Sequence, residues 1–266
     1  FIIYSLKISC VTVQHNVVYG SKESIEKLMS RDDDFFEKDT DFASIHNEDL
    51  TDHNSYFELI YGGENRAYNT NLIGDYNVEN IVAAIISSLL IGIPNDQIRS
   101  SIRDVYVPGR LQVYHWKDRT FMIDYAHNAM SLESLLSTLR EYHPKRLVCL
   151  FGCGGNRSRE RRFEMGEVSS KMADLTIVTS DNPRNEQPEA IIADIVTGVE
   201  KADGKYITII DRAEAIRYAI EHAQEGDVIV LAGKGHEDYQ EICGKKYHMD
   251  ERELVADVVK DGNFLQ

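Results

Sequence analysis

The second half of the chain alternates regularly between short β-rich runs and amphipathic helical runs. The runs predicted as strands are RLQVYHW, TFMIDYA, RLVCLFGC, DLTIVTS, KYITIID and DVIVLAG. Those predicted as helices are SLESLLSTLREY, ERRFEMGEVSSKMA, PEAIIADIVTGVEKA, RAEAIRYAIEHA and DERELVADVVKD. Apolar strands that alternate with helices form βαβ crossovers, which require a mainly parallel sheet covered on both faces. This part of the chain is therefore predicted to be a doubly wound α/β domain.

The first half follows a different pattern. Residues 1–20 predict short strands, and residues 57–73 predict a β-hairpin with its turn at GGEN. A buried helix is predicted within residues 74–94, and a second one from about Asn95 to Val105. The segment VPGR then marks a boundary, because proline and glycine end regular elements. We therefore expect two domains, residues 1–107 and 108–266.

Charge and hydropathy exclude several classes of partner. The 266-residue chain carries a formal net charge of −15, which repels a phosphate backbone, so we expect no nucleic-acid partner. Residues 21–54, centred on RDDDFFEKDTDF, are strongly acidic and predict an irregular surface insertion. No run of about 18 apolar residues is present, and the expected protein is soluble and cytoplasmic, with no membrane partner.

The four cysteines are scattered along the chain. Cys10, Cys149, Cys153 and Cys243 form neither a C-x-x-C motif nor a set with paired histidines. Reduced thiols are the expectation, and no metal site is predicted in this chain.

The loops that follow the predicted parallel strands are the candidate ligand site, because ligands bind at the carboxyl ends of such strands. The loop after DLTIVTS contains Asp181, Asn182, Pro183 and Arg184. A planar guanidinium can hold a carboxylate through two parallel hydrogen bonds. The alternative is a capping turn that carries a surface arginine.

The loop after RLVCLFGC begins Gly152-x-Gly154, as in the dinucleotide fingerprint of Rossmann-like domains. Arg157 replaces the third glycine of that fingerprint, which disfavours a nicotinamide oxidoreductase. Arg157 is instead expected at the same sheet edge as Arg184. Two arginines at one edge indicate an anionic ligand.

The stretch GKGHEDYQEI resembles a phosphate loop only superficially. A phosphate loop needs G-x-x-x-x-G-K-[ST], whereas Gly235 and His236 follow Lys234 here. The stretch instead offers close backbone approach at Gly233 and a carboxylate at Glu237. Together with the two arginines, Glu237 predicts a site for a zwitterionic amino acid; a surface hairpin is the alternative.

Several motifs in one order resemble the Mur ligase family of peptidoglycan synthesis. They are GDYNVENIVAA, GRLQVY, IDYAHNAMSLESLL, FGCGGNRSRERR, DNPRNEQP and LAGKGHEDYQ. The DNPR tetrad resembles that of the branch adding meso-diaminopimelate to UDP-N-acetylmuramoyl-L-alanyl-D-glutamate. The resemblance implies a diaminopimelate site formed by Arg157, Asp181, Asn182, Pro183, Arg184, Gly233 and Glu237.

The resemblance also implies positions that contact ATP. Asn77 and Asn80, three apart on one helix face, resemble the pair near the adenine. Arg110 resembles the arginine that reaches the phosphates, and Asp124 the acid that contacts the ribose. For His127, a nucleotide contact and a structural role both stay open.

The family further implies a reaction and a set of missing parts. ATP, with Mg²⁺, converts the D-glutamate carboxylate into an acyl phosphate, which the diaminopimelate amine attacks. The phosphate loop, the magnesium ligands and the main catalytic groups of that reaction cannot be placed in this chain, which starts with Phe rather than Met. We therefore expect the end of the central α/β domain (1–107) followed by the C-terminal domain (108–266).

Alone, such a chain is expected to bind the amino acid without turning over ATP. A truncated enzyme and a split enzyme, whose N-terminal part is a separate partner chain, both stay open. The alternative functions are a folylpolyglutamate-type or other ligase of the same superfamily and a non-catalytic amino-acid-binding module.

Overall fold

The computed structural model describes residues 4–9, 14–29, 40–51 and 54–258. The chain forms two compact units, residues 1–106 and 107–266. In the described part of the chain, no helix is both long enough and apolar enough to cross a membrane.

In its described residues, the first unit is a five-stranded sheet with three helices. The strands are β1 (Tyr4–Ser9), β2 (Gln14–Ser21), β3 (Thr40–Leu50), β4 (Ser55–Tyr61) and β5 (Glu64–Thr70). The helices are α1 (Lys22–Met29), α2 (Asp75–Leu90) and α3 (Asn95–Arg103). The strands lie in chain order; β2 and β3 are parallel and connected through α1, and the other neighbouring pairs are antiparallel.

The hairpin and the two helices predicted in this unit are confirmed. Strands β4 and β5 pair from Tyr61–Glu64 outward, so the turn is the two residues Gly62 and Gly63. Both have positive φ, 61° and 76°, the conformation that type I′ hairpin turns require and that glycine adopts without strain. Apolar residues of β4 and α2, such as Phe57 and Ile85, meet in the core of this unit.

The prediction of an irregular stretch over residues 21–54 is wrong at both ends, where α1 and β3 form. Charged residues occupy the outward positions of these elements and hide their period. In α1, Ile25 is buried while Lys22 is exposed, and in β3, Ala43 and Ile45 are buried while Asp41 is exposed. Most of the acidic run RDDDFFEKDTDF lies outside the described residues.

The second unit contains the remaining elements. Its strands are β6 (Gln112–Trp116), β7 (Arg119–Asp124), β8 (Arg146–Phe151), β9 (Leu175–Val178), β10 (Tyr206–Thr208), β11 (Asp227–Ala232), β12 (Tyr239–Ile242) and β13 (Lys245–His248). Its helices are α4 (Ala129–Glu141), α5 (Glu160–Met172), α6 (Pro188–Lys201), α7 (Arg212–Glu221) and α8 (Glu251–Val258).

The predicted doubly wound sheet is confirmed. The strand order is β10-β9-β8-β11-β7-β6, and every neighbouring pair is parallel except β6 with β7. Helix α5 contacts α4 and α6. Helix α7 contacts α8 and β8, and α8 contacts β7. The central strand β11 is buried along its whole length, which explains its continuous apolar sequence.

The order of the strands determines where a ligand site can form. From β8 the chain proceeds outward to β9 and β10 and then returns through α7 to place β11 between β8 and β7. The loops that leave β8 and β11 therefore diverge, which opens a crevice at their carboxyl ends.

Strands β12 and β13 form a separate two-stranded hairpin after the loop that follows β11. A ligand loop and a surface hairpin were the two alternatives for GKGHEDYQEI. The structure contains both: residues 233–238 form a loop, and the hairpin begins with β12 at Tyr239. The turn of the hairpin is Cys243-Gly244, with φ of 47° and 74°. Cys149, Cys153 and Cys243 are free thiols, as predicted, and Cys10 lies outside the described residues.

Candidate functional site

A cavity of about 310 Å³ lies in the second unit, where the loops after β7, β8, β9 and β11 meet. Six of the seven residues predicted to bind diaminopimelate line it, and Pro183 is the exception. The lining residues are Tyr125, His127, Gly152, Cys153, Gly154, Arg157, Arg161, Asp181, Asn182, Arg184, Gly233 and Glu237.

The Asp181–Arg184 loop is attached to the glycine-rich loop after β8. The amide of Gly155 donates to the Asn182 carbonyl oxygen at 2.8 Å. A Cβ on Gly155 would lie 1.9 Å from the carbonyl oxygen of Pro183, so only glycine allows this approach. Pro183 thus contributes by packing on Gly155 rather than by facing the cavity.

Arg184 is fixed by contacts on both its backbone and its side chain. Its φ of 52° lies in the left-handed region, and its amide donates to the Glu241 carbonyl oxygen at 3.0 Å. The guanidinium donates from Nε to Glu241 Oε2 at 3.1 Å and from Nη1 to the Gly155 carbonyl at 2.8 Å. These bonds use Nε and Nη1, so among the described residues Nη2 is the guanidinium nitrogen without a protein hydrogen bond, and it is available to a ligand carboxylate.

Glu237 is linked to Asn182 and to Lys234. In the sequence, Lys234 was considered only as a residue of a phosphate loop, and that motif was rejected. Glu237 Oε2 accepts from Asn182 Nδ2 at 2.8 Å and from Lys234 Nζ at 3.1 Å. Burial raises the pKa of Glu237, but the Asn182 hydrogen bond and the Lys234 charge outweigh this effect and lower the pKa below its usual value. The glutamate is therefore an anion at neutral pH and a suitable partner for an ammonium group.

Two arginines supply positive charge at the same cavity. Arg157 is exposed and Arg161 is half-buried. Within the described residues, neither forms an ion pair with a protein carboxylate. Their charges are thus available to an anionic ligand.

An ion-pair network around the buried Arg162 supports the loop that carries Arg157. Arg162 is fully buried and donates to Asp194 at 3.0 Å and to Glu186 at 2.8 Å. Glu186 also accepts from the amide of Asn156 at 2.5 Å, and Arg159 forms two bonds to Asp194. This network connects the start of α5 to the Asp181–Arg184 loop and to α6.

The interior of the cavity contains a carboxylate and a thiol. Asp181 is buried, and its Oδ1 accepts from the following amide, that of Asn182, at 2.5 Å. Cys153 is also buried, and burial raises the pKa of its thiol to about 12. The thiol is therefore protonated at neutral pH and packs against Met165, with 3.7 Å between the sulfur atoms.

An aromatic cluster forms one side of the cavity. The Arg110 guanidinium lies 4.4 Å from the centre of the Tyr125 ring, and the rings of His127 and His236 lie 4.7 and 5.2 Å from it. The preceding residue, Gly109, lies against the backbone of Gly235, so closely that a Cβ at position 109 would be 2.1 Å from the Gly235 carbonyl carbon. This close approach brings Arg110 to Tyr125. His127 is exposed and its Nδ1 donates to the Tyr125 carbonyl at 2.8 Å.

Asp124, the residue before Tyr125, is buried, and its carboxylate accepts hydrogen bonds from the protein backbone. Its two oxygens accept from the amides of Leu111 and Ala126, each at 2.8 Å. Burial raises its pKa despite these bonds. A ribose contact for Asp124 and nucleotide contacts for Arg110 and His127 stay predictions.

Asn77 and Asn80, in the first unit, have different surroundings although both lie in α2. Asn77 is buried and its Nδ2 donates to the Ile73 carbonyl oxygen at 2.8 Å, whereas Asn80 is exposed. Both residues lie three apart in α2, as expected, but they differ in burial. Their role with adenine stays a prediction.

The ion pair between Arg212 and Glu251 is fully buried and connects elements next to the cavity. Arg212 donates from Nε to Glu251 at 2.8 Å, from Nη2 to the Ala232 carbonyl at 2.9 Å and from Nη1 to the Ser180 carbonyl at 3.4 Å. One arginine thus connects the loop after β9, the end of β11 and the start of α8.

Sequence reasoning missed Lys234, Arg161 and Tyr125 as residues of this site. Lys234 and Tyr125 are adjacent in sequence to predicted residues, and Arg161 follows Arg157 by four positions. Lys234 contacts Asn182, 52 positions away. The available signal was a Gly-Lys pair directly after the apolar run VIVLA.

Comparison with known proteins identifies the second unit. Residues 109–235 match the family model described as "Mur ligase, glutamate ligase domain". A UDP-N-acetylmuramoyl-L-alanyl-D-glutamate–2,6-diaminopimelate ligase of Aquifex aeolicus is 40% identical over 256 residues, 96% of this chain and 49% of the relative. The ligase of the same name from Syntrophomonas wolfei is 44% identical over 209 residues, 77% of this chain and 43% of the relative.

A solved structure of a ligase with that name superposes with a TM-score of 0.58 at 35% identity, covering 85% of this chain and 46% of that one. The chain thus spans about half the length of the relatives it matches. The matched domain, these relatives and the doubly wound fold all agree. The chain therefore belongs to the Mur ligase family.

Proposed function

We propose that this chain is the amino-acid-binding part of an ATP-dependent ligase that joins meso-diaminopimelate to UDP-N-acetylmuramoyl-L-alanyl-D-glutamate in peptidoglycan synthesis. The observation that carries the proposal is one cavity that contains an ionised glutamate together with three arginines. The names of the relatives support the same reaction.

The charges of the cavity match a diamino dicarboxylic acid. Glu237 and Asp181 supply anions for ammonium groups, and Arg157, Arg161 and Arg184 supply cations for carboxylates. The second carboxylate distinguishes diaminopimelate from lysine, and the second amine distinguishes it from glutamate. A site that holds both ends of this molecule fixes the position of the remaining amine, which favours its attack on an activated carboxylate.

In this proposal, residues 107–266 are the C-terminal domain and the first unit is the end of the central domain. The chain contains no G-x-x-x-x-G-K-[ST] motif. Among the described residues, no group of three His, Cys, Asp or Glu side chains is arranged to hold a metal. We therefore assign neither the phosphate loop nor the Mg²⁺ ligands to this chain, and Arg110 is the residue offered to the ATP phosphates.

Calorimetric titration of the whole chain with meso-diaminopimelate, L-lysine and L-glutamate tests the proposal. We expect binding of diaminopimelate and at least tenfold weaker binding of the other two. Arg184→Ala should weaken diaminopimelate binding by about 10- to 100-fold, because a hydrogen bond to a charged group contributes about 1.5–3 kcal/mol.

Arg217→Ala, which removes an exposed arginine of α7, is the control and should bind normally. Equal binding of L-glutamate would instead favour a folylpolyglutamate-type ligase. Unchanged binding by Arg184→Ala would show that the ligand does not occupy this cavity.

A further inference from the structure

Lys234 is a lysine with no exposed surface, which is unusual for this residue type. Its ammonium lies 3.1 Å from Glu237 Oε2, 3.3 Å from Asn182 Oδ1 and 5.6 Å from the centre of the Tyr239 ring. Removing an ammonium from water is costly unless it is paired and hydrogen-bonded. The lysine therefore has a specific set of partners, and both of its polar partners line the cavity.

The hydrogen bonds of Lys234 determine which way the Asn182 amide points. Asn182 Oδ1 accepts from the Glu241 amide at 2.8 Å as well as from Lys234. Its Nδ2 is therefore directed to Glu237 Oε2, at 2.8 Å. The reverse orientation would place Nδ2 against two donors.

Glu237 has unequal oxygens as a result. Oε2 receives both hydrogen bonds, from Asn182 and from Lys234. Within the described residues, Oε1 receives no protein hydrogen bond. It is the oxygen that this arrangement leaves for a donor in the cavity.

Lys234 also compensates negative charge at the cavity. Two carboxylates, those of Glu237 and Asp181, line the same 310 Å³ space, and like charges in one small space repel each other. The other charged or titratable groups near Glu237 are His236, Tyr125, His127, Cys153, Arg157, Arg161 and Arg184. Of these cations, Arg184 is paired with Glu241, and Lys234 is the cation in direct contact with Glu237.

We propose that Lys234 is a positioning residue for ammonium recognition: it orients Asn182 and holds Glu237 Oε2, so that Oε1 is presented to the ligand as an anionic acceptor. The identity of the ligand, a diamino dicarboxylic acid, rests on the proposed function. The positioning itself does not.

Carbon-detected NMR of the whole chain, labelled at the glutamate carboxyls, tests the positioning directly. The Glu237 signal is assigned by its loss in Glu237→Gln. In the wild type, Glu237 should titrate below the ordinary glutamate pKa, and in Lys234→Met its titration midpoint should move upward, because burial then acts without the lysine charge. An unchanged Glu237 titration in a folded Lys234→Met variant would overturn the proposal.

Two further variants keep this test decisive. Lys234→Gln retains a donor but not the charge, and it replaces Lys234→Met if that variant does not fold; it should also raise the titration midpoint of Glu237. Lys246→Met removes an exposed lysine whose Nζ lies 3.8 Å from the centre of the same Tyr239 ring, and it should leave the titration unchanged.

Titration with meso-diaminopimelate at pH 5 and pH 8 tests the link to the ligand. We expect wild-type affinities within about twofold of each other, whereas Lys234→Met should bind more weakly at pH 5 than at pH 8, because its Glu237 takes up a proton at a higher pH than the wild-type residue does. Equal weakening at both pH values would show a structural role only and reject the link. If the wild type does not bind but the NMR shift is present, the proposed ligand is wrong and the positioning role stands.

Discussion

Gly155 is the residue on which the placement of Arg184 depends most directly. Its missing side chain lets the Pro183 carbonyl approach, and its own carbonyl accepts from the Arg184 guanidinium. Its φ is not in the left-handed region, so the requirement for glycine here is steric.

We expect Gly155→Ala to destabilise the protein by about 1–3 kcal/mol, the usual cost of overpacking. It should also weaken diaminopimelate binding at least tenfold, because the Asp181–Arg184 loop must move away. Urea unfolding and calorimetry measure the two effects. Gly92→Ala, where the added Cβ meets no atom within 4 Å, is the control for binding and should leave the affinity unchanged.

The sequence predicted the residues of the cavity better than their mutual contacts. Asp181, Arg184 and Glu237 were found because each follows a recognisable strand of a predicted parallel sheet. The pairing of Arg184 with Glu241 could not be found in this way, because it depends on a hairpin 57 positions further along. Lys234 was missed because its neighbours come from a different loop.

Among the elements, β9, β11 and α8 are connected by the buried pair Arg212–Glu251. Breaking such a pair leaves a buried charge without compensation, so Arg212→Met should cost about 3–5 kcal/mol in unfolding free energy. The double variant Arg212→Met/Glu251→Leu should recover most of that loss.

Urea denaturation of the two single variants and of the double variant gives the coupling energy of this pair. Lys145 and Glu225 form a pair with the same 2.8 Å separation but two-thirds exposed side chains. Lys145→Met should therefore change stability by less than about 1 kcal/mol. If Arg212→Met and Lys145→Met lost the same free energy of unfolding, burial would not determine how much an ion pair contributes to stability.

Helices α5 and α6 are connected through Glu167, which accepts from Lys171 and from Lys201, each at 2.6 Å. These hydrogen bonds and charges lower the pKa of Glu167 to about 2, from 4.5. A carboxyl whose pKa is lower in the folded state stabilises fully above its unfolded pKa and loses this contribution as the pH falls.

Glu167→Gln should therefore lower the Tm at pH 7, and the difference from the wild type should shrink as the pH falls from about 4.5 toward 2. Thermal unfolding at pH 7, 5, 4 and 3 measures this dependence. Glu164→Gln, an exposed neighbour in α5, should show no such trend. A difference that stays constant with pH would mean that the charge of Glu167 is not involved.

The element predictions succeeded where an apolar period was visible and failed where charge covered it. Strands β7 to β11 and helices α4 to α8 were all recognised, because buried strands and amphipathic helices leave clear patterns. The hairpin of β12 and β13 was only an alternative prediction, because β13 is exposed along its length and carries no alternation.

At the scale of the whole molecule, the cavity belongs to one unit. All its lining residues lie between Tyr125 and Glu237, inside the second unit. We expect residues 107–266, expressed alone, to bind meso-diaminopimelate within about twofold of the whole chain. A folded fragment that does not bind would show that the first unit takes part in recognition.

We further expect the purified chain to form no ADP from ATP when given diaminopimelate and the UDP-linked dipeptide, because no phosphate loop is found in its sequence. A coupled ADP assay checks this. ADP formation that requires both substrates would contradict the assignment of this chain to the amino-acid-binding part.

Strand β11 lies between β8 and β7 although it is made last of the three. During synthesis, β7 and β8 therefore emerge with no strand to join them, and about 75 further residues must follow before β11 begins. At about 5–20 residues per second this interval lasts several seconds. Until then, the edges of β7 and β8 that β11 covers in the native sheet have no native partner, and unpaired apolar edges of this kind favour association with other chains.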